Sequence, residues 1–203
     1  MRRVRNREWV IRRLPGRGGG AKRGDHDLNP GTRPQSPLTP AAVLVPIVTH
    51  AGGLTVLLTR RTGNLANHPG QISFPGGHVE PEDESPEAAA LRESEEEIGL
   101  KGGPVEIVGR LDTYETRTGF SVTPVVAVVE PPLQLDPDRR EVEEVFEVPL
   151  DFILDTANHQ RQSRGFEGGK RLFYAMTYGD YHIWGATAGI LVNLQERLIE
   201  GIS

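Results

Sequence analysis

Cysteine is absent from the 203 residues of this chain. The absence excludes disulfides, thiolate zinc sites and cysteine nucleophiles, and it fits a reducing compartment. Long apolar runs are also absent, because no stretch approaches the roughly 20 residues that a membrane helix needs. The basic residues 1–7 lack the apolar segment of a secretory signal. We therefore expect a cytoplasmic protein with no membrane partner.

The signatures of several common enzyme classes are missing as well. The chain contains neither a Gly-Lys-Ser phosphate-binding loop nor a Gly-x-Ser-x-Gly nucleophile elbow. Its six histidines show no metal-ligand spacing, which argues against a zinc site.

Charge is distributed unevenly along the chain, whose net charge is −5. Residues 1–40 hold ten Lys/Arg and three Asp/Glu, whereas residues 41–203 hold thirteen and twenty-five. An acidic body suits a site that concentrates divalent cations and is a poor generic binder of nucleic acid. We expect a basic Gly/Pro-rich extension over residues 1–37 and one domain over residues 38–203.

Apolar runs and turn signals predict an α+β fold, a mixed sheet with helices packed against it. In the extension, residues 6–14 predict a short helix with Trp9 and Arg13 on one side. The stretch from Pro15 to Pro40 predicts a linker without regular structure. The domain is predicted to contain strands over 41–49, 54–60, 71–79 (broken at 75–77), 105–111, 121–129, 141–148, 172–178 and 181–184, a polar loop over 155–171, and a closing helix over 187–199.

A central helix has clear start and stop signals. Ser85 is a good N-cap, Pro86 suits the first helical position and Glu87 places an acid in the first turn. The helix is expected to run to Ile98, with Gly99 as its C-terminal stop.

Three glutamates share one face of this helix. With Glu93 at zero, Glu97 falls near about 40°, Glu96 near about −60° and Glu95 near about 200°, since a helix advances about 100° per residue. Like charges so close together are unfavourable unless a cation lies among them, and carboxylates are the ligands that Mg²⁺ and Mn²⁺ prefer. A solvated acidic face is the alternative, but Phe74-Pro-Gly-Gly77 just upstream favours a metal site because glycines let the backbone approach closely.

The segment Gly77…Glu84…Arg92-Glu93-Ser94-Glu95-Glu96-Glu97-Ile98-Gly99-Leu100 resembles the Nudix box. It departs at two points. Six residues, rather than five, separate Gly77 from Glu84, so that Asp83 is a second candidate for the acid position. Ser94 stands where a small aliphatic residue is usual. The resemblance implies the Nudix fold, a mixed sheet sandwiched between helices.

A narrower resemblance, to the coenzyme A pyrophosphatases, is carried by Leu57-Leu58-Thr59-Arg60-Arg61, Gly70 and Phe74-Pro75-Gly76-Gly77, and downstream by residues 118–124, 145–150 and 183–188. Ala66 departs from it, since an arginine is usual there. The implied reaction is attack of water on a diphosphate, with Mg²⁺ or Mn²⁺ as cofactor. The implied products are 3′,5′-ADP and 4′-phosphopantetheine.

The resemblance also implies the site residues. Metal ligands are Glu93, Glu96, Glu97 and the Gly77 carbonyl; catalytic residues are Arg92, Glu96 and Glu97; substrate contacts are Arg60, Arg61, Phe74 and Gly76. Strand alternation allows only one of Arg60 and Arg61 to face the site. The general base is left open among Glu96, Glu141, Glu143 and Glu144. Tyr181 and Trp184 are interpreted as core or interface residues rather than a base-stacking platform.

Several other functions stay open. One is hydrolysis of another nucleoside diphosphate compound such as ADP-ribose, and another is ligand binding by a non-catalytic Nudix module. A third, RNA processing through the basic extension, conflicts with the acidic body. We expect a small nucleoside diphosphate as partner, with coenzyme A favoured and nucleic acid disfavoured. A homodimer is compatible with the sequence.

Overall fold

The structure, a computed structural model, describes residues 5–14, 22–34, 37–63, 70–101, 105–166 and 169–200. This part of the chain contains four α-helices and twelve strands. The helices are α1 (Arg7–Ile11), α2 (Pro86–Ile98), α3 (Leu150–Leu154) and α4 (Ala186–Glu200). The strands are β1 (Lys22–Gly24), β2 (Thr39–His50), β3 (Gly53–Arg61), β4 (Ile72–Ser73), β5 (Gly76–His78), β6 (Val105–Arg110), β7 (Thr113–Glu115), β8 (Phe120–Val129), β9 (Val142–Pro149), β10 (Gln160–Phe166), β11 (Gly169–Tyr178) and β12 (Tyr181–Trp184).

A mixed nine-stranded sheet lies at the centre, with the order β1-β7-β8-β2-β3-β4 and with β5, β6 and β9 paired to β2, β8 and β3. Strand β2 is parallel to β8 and forms a hairpin with β3, as predicted. Its nearly continuous apolar sequence follows from burial on both faces. β10, β11 and β12 form a second, antiparallel sheet.

Helices cover both faces of the large sheet. On one face, α2 packs Ala90 and Ile98 into a cluster with Leu44 and Leu57. On the other face, α1, α3 and α4 share a larger cluster with the second sheet. This layering confirms the predicted α+β class and the sheet between helices. Within the described residues, none of the helices has the length and apolarity to cross a bilayer.

The extension contacts the domain more closely than the sequence predicts. Helix α1 forms as predicted, and the Arg13 guanidinium carbon lies 4.6 Å from the Trp9 ring centroid. Trp9 and Leu14 are buried in the larger core cluster. The prediction that Pro15–Pro40 lacks regular structure is wrong, because β1 pairs in parallel with β7 and a 3₁₀ turn follows it. The proposed domain boundary at residue 38 stays a prediction.

The prediction of a polar loop over residues 155–171 is also wrong. Residues 160–166 of this range form strand β10, which pairs antiparallel with β11, and β11 itself begins at Gly169, three residues before the predicted strand 172–178. Residues 160–165 are almost all exposed. The apolar alternation by which strands are predicted is therefore missing there.

Candidate active site

The glutamate-bearing helix α2 is fixed at both ends. Ser85 Oγ accepts a hydrogen bond from the Ala88 amide at 3.2 Å. Gly99 adopts a left-handed φ of 69°, and a Cβ there would lie 2.7 Å from the Asp136 nitrogen. The Asp136 and Asp138 amides donate to the carbonyls of the last helical turn, at 2.9 Å each. The loop before β9 thus caps the helix and lies beside its acidic face.

The three box glutamates differ in their environments. Glu97 is 8% exposed, and its Oε2 accepts a hydrogen bond from the Gly76 amide at 3.2 Å. Glu93 is half-buried and lies 3.0 Å from the Arg92 guanidinium. Glu96 is exposed and lies 3.4 Å from the same guanidinium. Glu95 is exposed, and the structure assigns it none of these contacts.

Strand β5 brings two glycines against the glutamates. A Cβ on Gly77 would lie 2.5 Å from the Glu93 carboxyl group, so any side chain there would occupy the space beside that carboxylate. Gly76 has a φ of 150°, and its Cβ would lie 2.4 Å from the Ala42 carbonyl oxygen. Only glycine therefore lets this backbone lie between β2 and α2.

Burial makes ionised carboxylates costly at this site. It raises the pKa of Glu97 to about 7, an effect that the Gly76 hydrogen bond and the Arg61 charge oppose and that Glu93 and Glu141 reinforce. Burial also raises the pKa of Glu93, against the effect of Arg92. Two buried carboxyl groups that resist ionisation are the environment in which a divalent cation is most stabilising.

The donor set fits a hard divalent cation in its chemistry, since all of its atoms are oxygens. Within the described ranges no three acidic or histidine side chains converge closely enough to form a metal cage. The Glu96 carboxylate is exposed and lies 3.4 Å from Arg92 Nη1. Glu93, Glu97 and the two glycines form the fixed part of the site.

Arg92 is held by Asp83, which settles the choice that the sequence left open. The Asp83 carboxylate accepts bonds from Nε and Nη2 of Arg92, whereas Glu84 is exposed. The Arg92 side chain holds the pKa of Asp83 below its usual range. In this box, which has one additional residue, the acid that holds Arg92 is therefore Asp83, the residue before Glu84.

The predicted substrate contacts divide between the two faces of the sheet. Arg61 reaches towards the glutamates, with Nη1 3.8 Å from Glu97 Oε1. Arg60 points to the other face, where its guanidinium carbon lies 5.0 Å from the Tyr181 ring centroid. Phe74 is buried in the larger core cluster, and its role as a substrate contact stays a prediction. Ala66 lies outside the described residues.

Comparison with known proteins identifies the family. Residues 38–167 match the NUDIX domain family. The uncharacterized Nudix hydrolase NudL of Photorhabdus laumondii is 38% identical over 158 residues, which are 78% of this chain and 84% of that protein. NudL of Escherichia coli K12 is 41% identical over 155 residues, or 76% and 80% of the two chains. The chain is also similar to a solved Ap4A hydrolase of C. elegans, with 27% identity and a TM-score of 0.45. The matched region covers 55% of this chain and 80% of the hydrolase chain. The chain belongs to the Nudix hydrolase family, diphosphatases that generally use divalent metal ions.

Proposed function

We propose that this protein hydrolyses the diphosphate bond of coenzyme A or its thioesters, with Mg²⁺ or Mn²⁺, to 3′,5′-ADP and 4′-phosphopantetheine or its acyl derivative. The observation that carries the proposal is the position of the coenzyme A pyrophosphatase-like signature. The first part of the signature lies at the end of β3. There the Arg61 amide donates a hydrogen bond to the Gln71 carbonyl at 3.0 Å, which connects β3 to the segment that leads to Gly76. Both parts of the signature then meet at Glu97, through Arg61 and Gly76.

In this proposal the metal would be held by Glu93, Glu96, Glu97 and the Gly77 carbonyl. The bound ion supplies positive charge that offsets the diphosphate and the charge of the transition state. Arg92 orients Glu93 and Glu96, and the Gly76 amide orients Glu97. Arg61 lies on the same face as the glutamates and is the arginine suited to contact a phosphate of the substrate.

Two carboxylates are the candidates that we propose for taking the proton of the attacking water. Glu96 is exposed on the acidic face of α2. Glu141 lies close enough to Glu97 for its charge to raise the Glu97 pKa. Its main chain is fixed, since its carbonyl accepts from the Thr62 amide at 2.9 Å. Glu144 is less suited, because its carboxylate accepts the Tyr181 hydroxyl at 2.6 Å.

The position of Glu141 yields a matched comparison. If Glu141 acts as the base, we expect Glu141→Gln to lower kcat by about a hundredfold, within the range that general base catalysis contributes. Glu143→Gln, an exposed acid two residues away, should stay near wild type. Equal activity of the two variants would assign the role to Glu96 instead.

A substrate panel tests the proposed activity. The protein with Mg²⁺ or Mn²⁺ is incubated separately with coenzyme A, ADP-ribose, NADH and deoxynucleoside triphosphates, and the products are identified by mass. We expect coenzyme A or a thioester to give the highest kcat/KM. A preference for ADP-ribose of about tenfold, or about 1.4 kcal/mol in transition-state stabilisation, would overturn the proposed substrate.

A further inference from the structure

Two stacked aromatic rings and a guanidinium lie together beside the end of β3. The Phe146 and Tyr181 rings are parallel within 3°, with their centroids 3.7 Å apart. The Arg60 guanidinium carbon lies over the Tyr181 ring, 5.0 Å from its centroid. Phe146 is buried, whereas Tyr181 and Arg60 are both half-buried. Phe146 and Arg60 thus occupy the two faces of the Tyr181 ring, and Arg60 is the outer planar group, partly exposed.

Glu144 fixes the arginine in this position. Its carboxylate accepts the Tyr181 hydroxyl at 2.6 Å and lies 3.6 Å from Arg60 Nη1. The bond to Glu144 also raises the Tyr181 pKa, so the hydroxyl stays protonated as the donor. A guanidinium held by an aromatic ring and a carboxylate has its orientation restricted and part of its charge offset.

The stack and the candidate catalytic site involve two neighbouring residues of β3. Arg60 adjoins Arg61, whose Nη1 is 3.8 Å from the Glu97 carboxylate. Arg60 contacts Tyr181, which packs against the larger core cluster, and Arg61 contacts Glu97 on α2. The two side chains therefore lie on opposite faces of the sheet, although the pairing with β9 is irregular between them. A ligand that contacts both arginines would have its phosphates beside Arg61 and its other end beside Arg60.

We propose that Arg60, backed by Tyr181 and Phe146 and held by Glu144, is a stacking platform for the nucleobase of the substrate. A guanidinium stacks on the face of a base as it does on an aromatic ring, and such contacts are sequence-tolerant. A phosphate is a poorer occupant, because Glu144 offsets the charge that would attract it. The inference takes the presence of a nucleobase in the ligand from the proposed function, and it assigns Arg60 to base binding rather than phosphate binding.

Binding of a fluorescent nucleotide tests this platform without hydrolysis. The probe is 1,N⁶-etheno-ADP, whose fluorescence responds to stacking, titrated into the full chain with Mg²⁺. Arg60→Lys keeps the positive charge and removes the planar group. We expect it to weaken etheno-ADP binding by about fivefold or more, in keeping with the contribution of one stacked base. Displacement by inorganic pyrophosphate, which has no base, should change by less than about twofold.

Arg161 offers a matched control. Its guanidinium also lies over an aromatic ring, 5.9 Å from the centroid of Tyr174, in the second sheet. Arg161→Lys should leave both ligands bound as in wild type. Circular dichroism of each variant confirms that it is folded.

Three results would overturn the inference: no etheno-ADP binding to wild type, unchanged binding to Arg60→Lys, or an equal loss for pyrophosphate. The last would make Arg60 a phosphate contact. If coenzyme A is not hydrolysed while etheno-ADP binding still depends on Arg60, the proposed substrate fails and the base platform stands.

Discussion

Asp83 and Arg92 form a two-point ion pair in which the carboxylate oxygens accept from Nε at 3.1 Å and Nη2 at 2.9 Å. The same guanidinium donates to Glu93 at 3.0 Å and reaches Glu96 at 3.4 Å. Asp83 therefore acts on the acidic face of α2 through Arg92, although it lies outside the helix. Partners of this kind fix the direction of groups that contact a metal.

This pair predicts different effects at two neighbouring acids. Asp83→Asn removes the charge and one acceptor from Arg92, and we expect kcat to fall by about tenfold or more, as for other partners of metal ligands. Glu84→Gln changes an exposed side chain and should stay within about threefold of wild type. Steady-state hydrolysis of the best substrate, with both variants at saturating Mg²⁺, measures the difference. Similar losses at both positions would show that Asp83 does not orient Arg92.

The raised pKa of Glu97 predicts a pH-dependent cost in stability. Its pKa is about 7 in the folded protein against an ordinary value of 4.5, so the folded state binds the proton more tightly. Without metal, the free energy of unfolding should therefore fall as pH rises from about 4.5 to about 7. Glu97→Gln has no carboxyl group to ionise at this position. Its free energy of unfolding at pH 8 should therefore exceed that of wild type by up to about 3 kcal/mol.

Urea denaturation in EDTA, at pH 4 and pH 8, measures that prediction. The advantage of Glu97→Gln should disappear at pH 4, where wild type carries a protonated Glu97. Glu95→Gln, at an exposed position on the same helix, is the control and should follow wild type at both pH values. A variant Glu97→Gln that is destabilised equally at both pH values would contradict the buried, reluctantly ionised carboxyl group.

The extension gives a third prediction. Trp9 is 7% exposed and belongs to the larger core cluster, so Trp9→Ala should lower the free energy of unfolding by about 3–5 kcal/mol. Arg12→Ala, three residues along at an exposed position, should change it by less than about 0.5 kcal/mol. Deletion of residues 1–36 should likewise destabilise the protein, contrary to what the linker composition alone suggests. Chemical denaturation of the three variants tests whether the extension is part of the core.

The acidic helix could be predicted from sequence because its signals are local. Ser85 caps it, Pro86 begins it and Gly99 ends it, and all three act as expected. Helical phase also separates Glu97, which is buried, from Glu95, which is exposed. Ser94 fits its buried position by donating its hydroxyl to the Ala90 carbonyl at 2.6 Å.

Features that depend on distant partners were not predictable in the same way. β1 and β7 have three residues each and pair across about ninety positions of sequence, from Lys22 to Thr113. No local pattern marks such a pairing. The capping of α2 by Asp136 and Asp138 was missed for the same reason, since the amides of a polar loop carry no sequence signature. Arg60 and Arg61 could be assigned to opposite faces by alternation, but only the structure decides which one faces Glu97.

The proposed metal-binding face of α2 is tested most directly by the hydrolysis rates of single glutamate-to-glutamine variants. Glu93→Gln and Glu97→Gln keep side-chain size but remove the charge that a hard cation needs. We expect each to lower kcat by at least about a hundredfold, or about 2.7 kcal/mol of barrier. Glu95→Gln should stay within a few-fold of wild type. If folded Glu95→Gln were as inactive as Glu97→Gln, the assignment of the metal site to this face would be wrong.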